Sequence, residues 1–182
     1  MTKMANFDTY APRLRRWEGN KFVDDPADYG GATNGGVTLK TFRAIFGADK
    51  TVEDLKNMTE AQWRRVMKGA FWDKCKADQI KNQDVAEIFV DWCINSGIGK
   101  IKLLQQHLGV TADGIVGPKT IDAINGATQE HLHQWIKLTR AQRFINQITA
   151  DGTQMKFFGG WFNRLGDYRF HVKLANGYVI AR

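Results

Sequence analysis

The sequence predicts a mainly α-helical bundle with one small β element near residues 20–40. Apolar side chains recur every three or four positions through most of the 182 residues, as they do in helices with one buried face. Only three prolines interrupt these patterns, and 18 glycines supply turns between them. The exception is the stretch 19–38, which holds five glycines and lacks helical spacing.

The first helix is predicted over residues 9–17. Tyr10, Leu14 and Trp17 recur there at helical spacing and make one apolar face. Pro12 is compatible with this helix if it falls in the first turn, where its missing N–H is not needed.

Residues 19–38 are predicted to form loops, with a short hairpin near Val37. A glycine-dense loop directly after a helix is a place where the backbone can approach another group closely. The chemistry of the protein is therefore expected in this stretch, where packing explains the pattern least.

Helices dominate the rest of the chain. Threonines able to cap a helix N-terminus precede three of them: Thr38, Thr51 with Asp54, and Thr59 with Gln62. Further helical patterns occupy residues 84–96, 101–108, 119–124, 128–149 and 155–170. The tail from Leu174 is predicted as a hairpin arm or a ragged end. We expect two lobes, residues 1–85 and 86–182, packed as one compact body.

The composition excludes several classes of protein. With 43% hydrophobic and 25% charged residues, the chain is not disordered, collagen-like or a coiled coil. No run of 18 apolar residues occurs, so no stable membrane insertion is expected. The net charge of +7 would attract a polyanion, such as nucleic acid, an anionic membrane or a bacterial cell wall. Because the basic residues are scattered in short groups, no nucleic-acid partner is expected.

The sequence offers no metal site. Cys75 and Cys93 lie in apolar, helix-like stretches, and two reduced buried thiols are favoured over a single disulfide. No Cys-x-x-Cys pair or Cys/His cluster occurs, so we expect no metal and no cofactor. His131 and His133 are two positions apart and are predicted to be surface residues.

Glu18 is the first candidate catalytic residue. It lies at the exit of the first helix beside Trp17, and an apolar aromatic wall favours the neutral form of a carboxylic acid. Such an acid can donate its proton to a leaving oxygen. The alternative is a surface glutamate at a helix end, although that end of the helix dipole disfavours an acid.

Three aspartates follow within ten residues of Glu18: Asp24, Asp25 and Asp28. Glycoside hydrolysis commonly uses two carboxyl groups, one as acid and one as base or nucleophile. Asp28 could orient a water that the hydroxyl of Thr33 also holds. The alternative is that these aspartates only form turns.

Two stretches of this region resemble the signature of glycoside hydrolase family 108: Glu18-Gly19 and the run Asp25-Pro26-Ala27-Asp28-Tyr29-Gly30-Gly31-Ala32-Thr33-Asn34-x-Gly36-Val37-Thr38. These are muramidase-like proteins of phages and bacteria, endolysins among them, also called secretion activators. The resemblance implies a lysozyme-like α+β fold with Glu18 as the catalytic acid. The sequence departs from the family at Asn20, where glycine is usual.

Phage-type lysozymes show the same fifteen-residue step as that from Glu18 to Thr33. They place a carboxylate nine residues after the glutamate, which here is Ala27. Asp28, one residue later, is the second carboxylate by analogy. The candidate substrate contacts are Trp17, Tyr29, Asn34, Asn95 and Ser96; the alternative role of the last two is to end a helix.

A second stretch, from Leu104 to Thr120, resembles the core of peptidoglycan-binding helical modules. Its marks are Leu-Gln in a helix, an Asp-Gly-x-x-Gly turn and a Pro-x-Thr helix start. Ile115 and Val116 are expected to plug this turn into the core; the turn could also be purely structural. With the segments 91–97 and 160–164, the resemblance covers roughly residues 5–170.

These observations predict a peptidoglycan hydrolase, an N-acetylmuramidase that cleaves the β-1,4 glycan bond with Glu18 as general acid. The alternatives are a lytic transglycosylase that uses the same glutamate, and a non-catalytic cell-wall-binding or secretion accessory protein. The expected partner is the glycan strand, and a monomer is expected. The N-terminus shows no apolar stretch of signal-peptide length, so we expect synthesis in the cytoplasm and action on the wall after release or export.

Overall fold

The computed structural model describes residues 4–24, 31–174 and 179–182. The chain divides into two compact units. The N-terminal unit comprises Asn6–Cys75, and the C-terminal unit comprises Lys76–Arg182 with the chain up to Ala5. The sequence-based boundary after residue 85 falls inside the C-terminal unit. The mainly α-helical fold class is confirmed.

The N-terminal unit contains four α-helices and a small sheet among its described residues. Its helices are α1 (Phe7–Glu18), α2 (Leu39–Phe46), α3 (Val52–Lys56) and α4 (Glu60–Met67), followed by a π-helical segment (Lys68–Trp72). Its strands are β1 (Phe22–Val23), β2 (Thr33–Asn34) and β3 (Val37–Thr38), antiparallel in the order β1-β2-β3. The β element predicted near residues 20–40 is therefore present.

The C-terminal unit is built mainly from long helices. These are α5 (Gln83–Ser96), α6 (Lys100–His107), α7 (Pro118–Gly126), α8 (Gln129–Ala150) and α9 (Phe158–Asp167), with short 3-10 turns at Ala77–Gln79 and Gly152–Phe157. Strands β4 (His171–Lys173) and β5 (Val179–Ala181) pair antiparallel near the C-terminus, so the described end of the tail is a paired strand. No helix in the described ranges is long and apolar enough to cross a membrane.

Helix α1 begins two residues earlier than the sequence predicts. The side chain of Asn6 caps it, because its Oδ1 accepts a hydrogen bond of 2.6 Å from the N–H of Asp8. Pro12 therefore lies inside the helix and not in the first turn, where a proline would be fully compatible with it. A proline there has no N–H to donate to the preceding turn, so this part of α1 lacks one backbone hydrogen bond.

The predicted helix caps are confirmed. Thr38 Oγ1 accepts from the N–H of Thr41 at 3.1 Å. Thr51 and Thr59 each form a reciprocal capping box with the residue three positions on. These contacts are local in the chain, which is why the sequence alone indicates them.

An aromatic cluster forms much of the core of the N-terminal unit. Tyr10 and Trp72 are fully buried, and their rings stack with centroids 5.8 Å apart. Phe7 meets the Trp72 ring edge-on at 5.7 Å. Pairs of this kind add to the stability that burial of apolar area already provides. The apolar face predicted for α1 thus packs against the segment that follows α4.

Helix α5 is buried through nine consecutive residues, 85–93, and packs against α8. Asp91 is fully buried there, with its carboxylate 2.6 Å from Arg140 Nη2 and 2.6 Å from Arg164 Nη2. Burial alone would raise the pKa of Asp91, but the two guanidinium groups hold the pKa below its ordinary value. The acid is therefore ionised inside the unit and joins α5 to α8 and α9.

Two expectations about burial in the C-terminal unit are wrong. His133 is only 1% exposed, with its ring 5.6 Å from that of Phe170, because that face of α8 packs inward. Ile115 is 71% exposed, whereas its neighbour Val116 is 3% exposed. The turn therefore packs into the core through Val116 and exposes Ile115 to solvent.

The two cysteines agree with the prediction of reduced thiols. Cys75 and Cys93 are both buried, and neither forms a disulfide bond in the part of the chain that the structure describes. Burial in apolar surroundings makes such thiols packing residues.

Candidate functional site

The site is organised around Glu18, the last residue of α1. The helix ends because Gly19 has a φ of +66°, and its N–H donates to the Arg15 carbonyl at 2.8 Å. Glu18 is half-buried and follows the half-buried Trp17. The end of α1 thus carries the acid directly after an aromatic residue in the sequence.

The second part of the site is the hairpin β2–β3. Asn34 pairs with Val37, which leaves a two-residue loop of Gly35 and Gly36. Both glycines have positive φ, +51° and +76°, the backbone conformation that two-residue hairpin loops of the favoured type require. Glycine adopts it without the steric penalty that other residues suffer.

Gly36 lies directly against the carboxyl group of Glu18. A Cβ atom built on Gly36 would overlap Glu18 Oε2 and would lie 2.8 Å from Glu18 Cδ. The missing side chain of Gly36 is thus what allows the acid to rest on the hairpin loop. The contact with Glu18 therefore explains the glycine at position 36 in the stretch that resembles the family signature.

Several contacts hold the hairpin loop in place. The Gly35 carbonyl accepts a hydrogen bond of 2.8 Å from the buried indole Nε1 of Trp63. Arg15 Nη1 donates to the carbonyl of Gly19 at 2.7 Å, and the Arg15 guanidinium lies 4.7 Å from the Trp63 ring centre. The surface on which Glu18 rests is therefore tied to both α1 and α4.

Asn34 and Thr33 precede this loop on β2. The amide of Asn34 is buried and donates to the carbonyls of Leu55 at 2.9 Å and Lys56 at 3.0 Å. It therefore ties the hairpin to α3, and its contact with substrate stays a prediction. Thr33 is half-buried, on the strand that leads into the loop beside Glu18.

Four predicted site residues remain. Asp28 and Tyr29 fall outside the described residues, so their roles stay predictions. Asn95 and Ser96 lie at the end of α5 in the C-terminal unit. The exposed Asn95 donates to the Asp91 carbonyl at 3.0 Å, which gives it a structural contact.

A pocket of about 500 Å³ in the N-terminal unit was not predicted from the sequence. It is lined by Ala11, Pro12, Arg15, Arg16, Gly19, Asn20, Glu60 and Arg64. The signal that could have indicated it is the pair Arg15-Arg16, which precedes Glu18 on the same helix. The contribution of α4 could not be read from local spacing, because it comes from more than 40 residues further along the chain.

The turn of the second motif is held by Gln105 of α6. The buried Gln105 Nε2 donates to Asp113 Oδ1 at 2.8 Å and to the Ile115 carbonyl at 3.0 Å, and it also contacts Thr120 Oγ1 at 3.1 Å. Its Oε1 accepts from the N–H of Gly114 at 2.8 Å. One amide therefore organises the loop between α6 and α7. Beside this loop lies a pocket of about 440 Å³.

The part of the chain that the structure describes contains no group of three or more His, Cys, Asp or Glu residues placed to hold a metal ion. The chemistry that the described site offers is proton transfer by the carboxyl group of Glu18, which rests on the hairpin loop.

Two family models match the chain, one in each half. Residues 11–97 match the family model "Glycosyl hydrolase 108", and residues 100–166 match the model "Predicted Peptidoglycan domain". The match of residues 11–97 to the glycosyl hydrolase 108 model confirms the resemblance seen in the sequence.

The fold is similar to that of a solved structure, Brucella abortus SagA. The TM-score is 0.73 at 29% sequence identity, over 89% of this chain and 90% of the other. No protein with a curated description matches the chain. The two family regions together support a hydrolase that acts on peptidoglycan.

Proposed function

We propose that the protein is an N-acetylmuramidase that cleaves the β-1,4 bond between N-acetylmuramic acid and N-acetylglucosamine, with Glu18 as general acid. The observation that carries this proposal is the placement of Glu18 at the end of α1, against Gly36 of the hairpin loop. A carboxyl group fixed on a tied backbone turn keeps one orientation toward a substrate, and such positioning lowers the barrier to proton transfer. The match of residues 11–97 to a glycosyl hydrolase family supports the same role.

In this mechanism Glu18 donates its proton to the glycosidic oxygen as the bond to the sugar carbon breaks. The sugar left behind has oxocarbenium character, and a carboxylate on the other side stabilises it or directs a water toward it. We assign this second role to Asp28, with Thr33 holding the water. The assignment of Asp28 rests on its position in the sequence motif.

The wall-binding part of the proposal concerns the loop between α6 and α7. This loop lies in the region that matches a peptidoglycan domain and displays Ile115 to solvent. The net charge of +7 favours approach to an anionic wall. The protein acts there as a monomer after release or export from the cytoplasm.

Mass spectrometry of the products from purified sacculi tests the proposal. We expect muropeptides with reducing ends from the wild type and none from Glu18→Gln. Glu53→Gln is the matched control, because Glu53 is an exposed glutamate on α3 of the same unit; it should retain activity.

Other outcomes would decide between the alternatives. Products with a 1,6-anhydro end would replace the hydrolase with a lytic transglycosylase that uses the same acid. Sacculus binding without products from any variant would leave a wall-binding accessory protein. Full activity of Glu18→Gln would contradict the role of Glu18.

A further inference from the structure

The indole of Trp63, on α4, reaches the hairpin loop beside Glu18. Its side chain is fully buried, and its Nε1–H donates to the Gly35 carbonyl at 2.8 Å across 28 positions of the chain. A buried N–H has given up its hydrogen bonds to water, so losing its acceptor in the protein is costly. Helix α4 therefore sets the direction in which the Gly35 carbonyl points.

That direction decides which turn the loop adopts. Two-residue hairpin loops favour the turn types I′ and II′. Type I′ has positive φ at both central residues, whereas type II′ has it at the first alone. Gly35 and Gly36 have φ of +51° and +76°, which is type I′, although two glycines can adopt either type. The two types differ mainly by rotation of the peptide group between the glycines, and its carbonyl is the one that Trp63 holds.

The other contacts of Gly35 hold the start of the loop. Its N–H donates to the Lys21 carbonyl at 3.3 Å. A Cβ atom built on it would lie 2.5 Å from Arg15 Nη1 and 2.8 Å from the Gly19 carbonyl oxygen, so its Cα packs closely against the end of α1. Neither contact involves the Gly35 carbonyl. The hydrogen bond from Trp63 is therefore the contact that selects between the two turns.

The support of Glu18 depends on this choice. The side of Gly36 that rests against the Glu18 carboxyl group is the side on which a Cβ atom would overlap Oε2, and it faces the acid at a φ of +76°. In a type II′ turn the φ of Gly36 is negative, and a different side of the residue faces the acid. The carboxyl group would then lose the surface that fixes its orientation.

We infer that Trp63 is a positioning residue for the proposed acid: its indole N–H holds the loop in the type I′ turn and so keeps the Glu18 carboxyl group in one orientation. The inference rests on the proposed function, because it gives Trp63 a part in the same proton transfer. Loss of this N–H lowers kcat, since the acid spends less time in the productive place. KM changes little, because the buried indole does not contact substrate.

Steady-state kinetics on a soluble oligosaccharide of alternating N-acetylglucosamine and N-acetylmuramic acid test this. Trp63→Phe keeps a buried aromatic ring and removes the N–H; kcat should fall at least about tenfold, with KM within about twofold of wild type. Trp92→Phe is the matched control. Trp92 is equally buried, but its Nε1 has no hydrogen-bond partner among the described residues, so its kcat should stay near that of wild type.

A second replacement keeps the test decisive if Trp63→Phe does not fold. Substitution of Trp63 by β-(3-benzothienyl)alanine preserves the size of the ring and puts sulfur in place of the N–H. It removes the hydrogen bond without leaving a cavity, so the same fall in kcat is expected.

A spectroscopic measurement follows the acid without turnover. The ¹³Cδ signal of the Glu18 carboxyl group can be assigned by its absence from Glu18→Gln. We expect this signal to shift or broaden in the Trp63 variants and to stay unchanged in Trp92→Phe.

Four results would each overturn the inference: wild-type kcat in a folded Trp63 variant, an equal fall of kcat in Trp92→Phe, a rise in KM alone, or an unchanged Glu18 signal. Failure of the proposed function is a separate result. A wild-type protein that yields no products from the oligosaccharide would contradict the muramidase, and the Glu18 signal would then decide alone whether Trp63 positions the carboxyl group.

Discussion

Gly36 shows how a single missing side chain positions the proposed acid. Its Cα faces the Glu18 carboxyl group, and its φ of +76° disfavours any residue with a Cβ. Gly31 provides a comparison, because its φ is +67° but, among the described residues other than its chain neighbours, no atom lies within 4 Å of the Cβ position. Substitution of each glycine in turn therefore distinguishes the effect of backbone strain from the effect of contact with Glu18.

We expect Gly36→Ala to lower activity on sacculi by at least about tenfold, because a displacement of the acid of even 1 Å reduces catalysis strongly. Gly31→Ala should destabilise the fold by about 1–2 kcal/mol through backbone strain and retain activity. Reducing-end release and urea unfolding of both variants measure these effects. Equal activity of the two variants would show that Gly36 does not position Glu18.

The ion pairs of Asp91 predict that the stability of the fold depends on pH. Its pKa in the folded protein is below its ordinary value, so its ion pairs stabilise the fold fully above the unfolded pKa of about 3.9. That stability is lost as the pH falls through the folded pKa. Asp91→Asn should therefore destabilise the protein by about 3–5 kcal/mol at pH 7, because it leaves the buried guanidinium of Arg140 and the half-buried guanidinium of Arg164 without their acid.

Denaturant unfolding of wild type and Asp91→Asn between neutral pH and about pH 3 checks this prediction. The difference between their free energies of unfolding should become smaller in the acid range. Asp122→Asn, at an exposed aspartate of α7, serves as control and should change stability little. A stability difference that is constant over the whole range would mean that folding does not lower the pKa of Asp91.

Among the elements, the loop between α6 and α7 depends on one buried amide. Gln105 makes four hydrogen bonds to this loop and the start of α7. Gln105→Ala should lower stability by about 2–4 kcal/mol, since each buried hydrogen bond contributes about 1 kcal/mol. Binding to sacculi should fall as well, because the loop loses its fixed shape.

The control for that variant is Gln106→Ala, the exposed neighbour on the same helix. Thermal unfolding and co-sedimentation with sacculi, both in the Glu18→Gln background, provide the measurements. Undiminished binding by a folded Gln105→Ala protein would indicate that the loop is purely structural, the alternative that the sequence left open.

The elements also show what the sequence could and could not predict. The capping threonines and Gly19 were predicted because their hydrogen bonds join residues three or four positions apart. Asp91 pairs with Arg140 and Arg164 across 49 and 73 positions, and no local pattern indicates such a contact. His133 was misplaced for the same reason, because the partner of its face of α8 is set by tertiary packing.

The same distinction between local contacts and contacts distant in sequence applies to the candidate site. Glu18 and the glycine run were predictable, since they combine a helix end with an unusual loop composition. The tie from Trp63 to Gly35 spans 28 positions, and the arginine pocket joins two helices that are distant in the sequence. Both became visible only with the fold.

At the scale of the whole molecule, the charge of +7 predicts dependence on ionic strength. Salt screens the attraction between a basic protein and an anionic wall. Turnover of sacculi should fall several-fold between about 0.05 M and 0.5 M salt, where the screening length shrinks from about 14 Å to about 4 Å. Release of reducing ends at each salt concentration measures this, with a short uncharged glycan as control; an equal decline on both substrates would point to an effect on the fold.

Helix α5 has a consequence for how such genes can recombine. The glycosyl hydrolase match extends to residue 97, yet α5 belongs to the C-terminal unit and is joined to α8 and α9 through Asp91. An exchange of gene segments at residues 98–99 would separate α5 from the helices that bury it. The segment inherited as the hydrolase would then carry an exposed apolar helix, so new combinations that survive selection should exchange α5 together with α8.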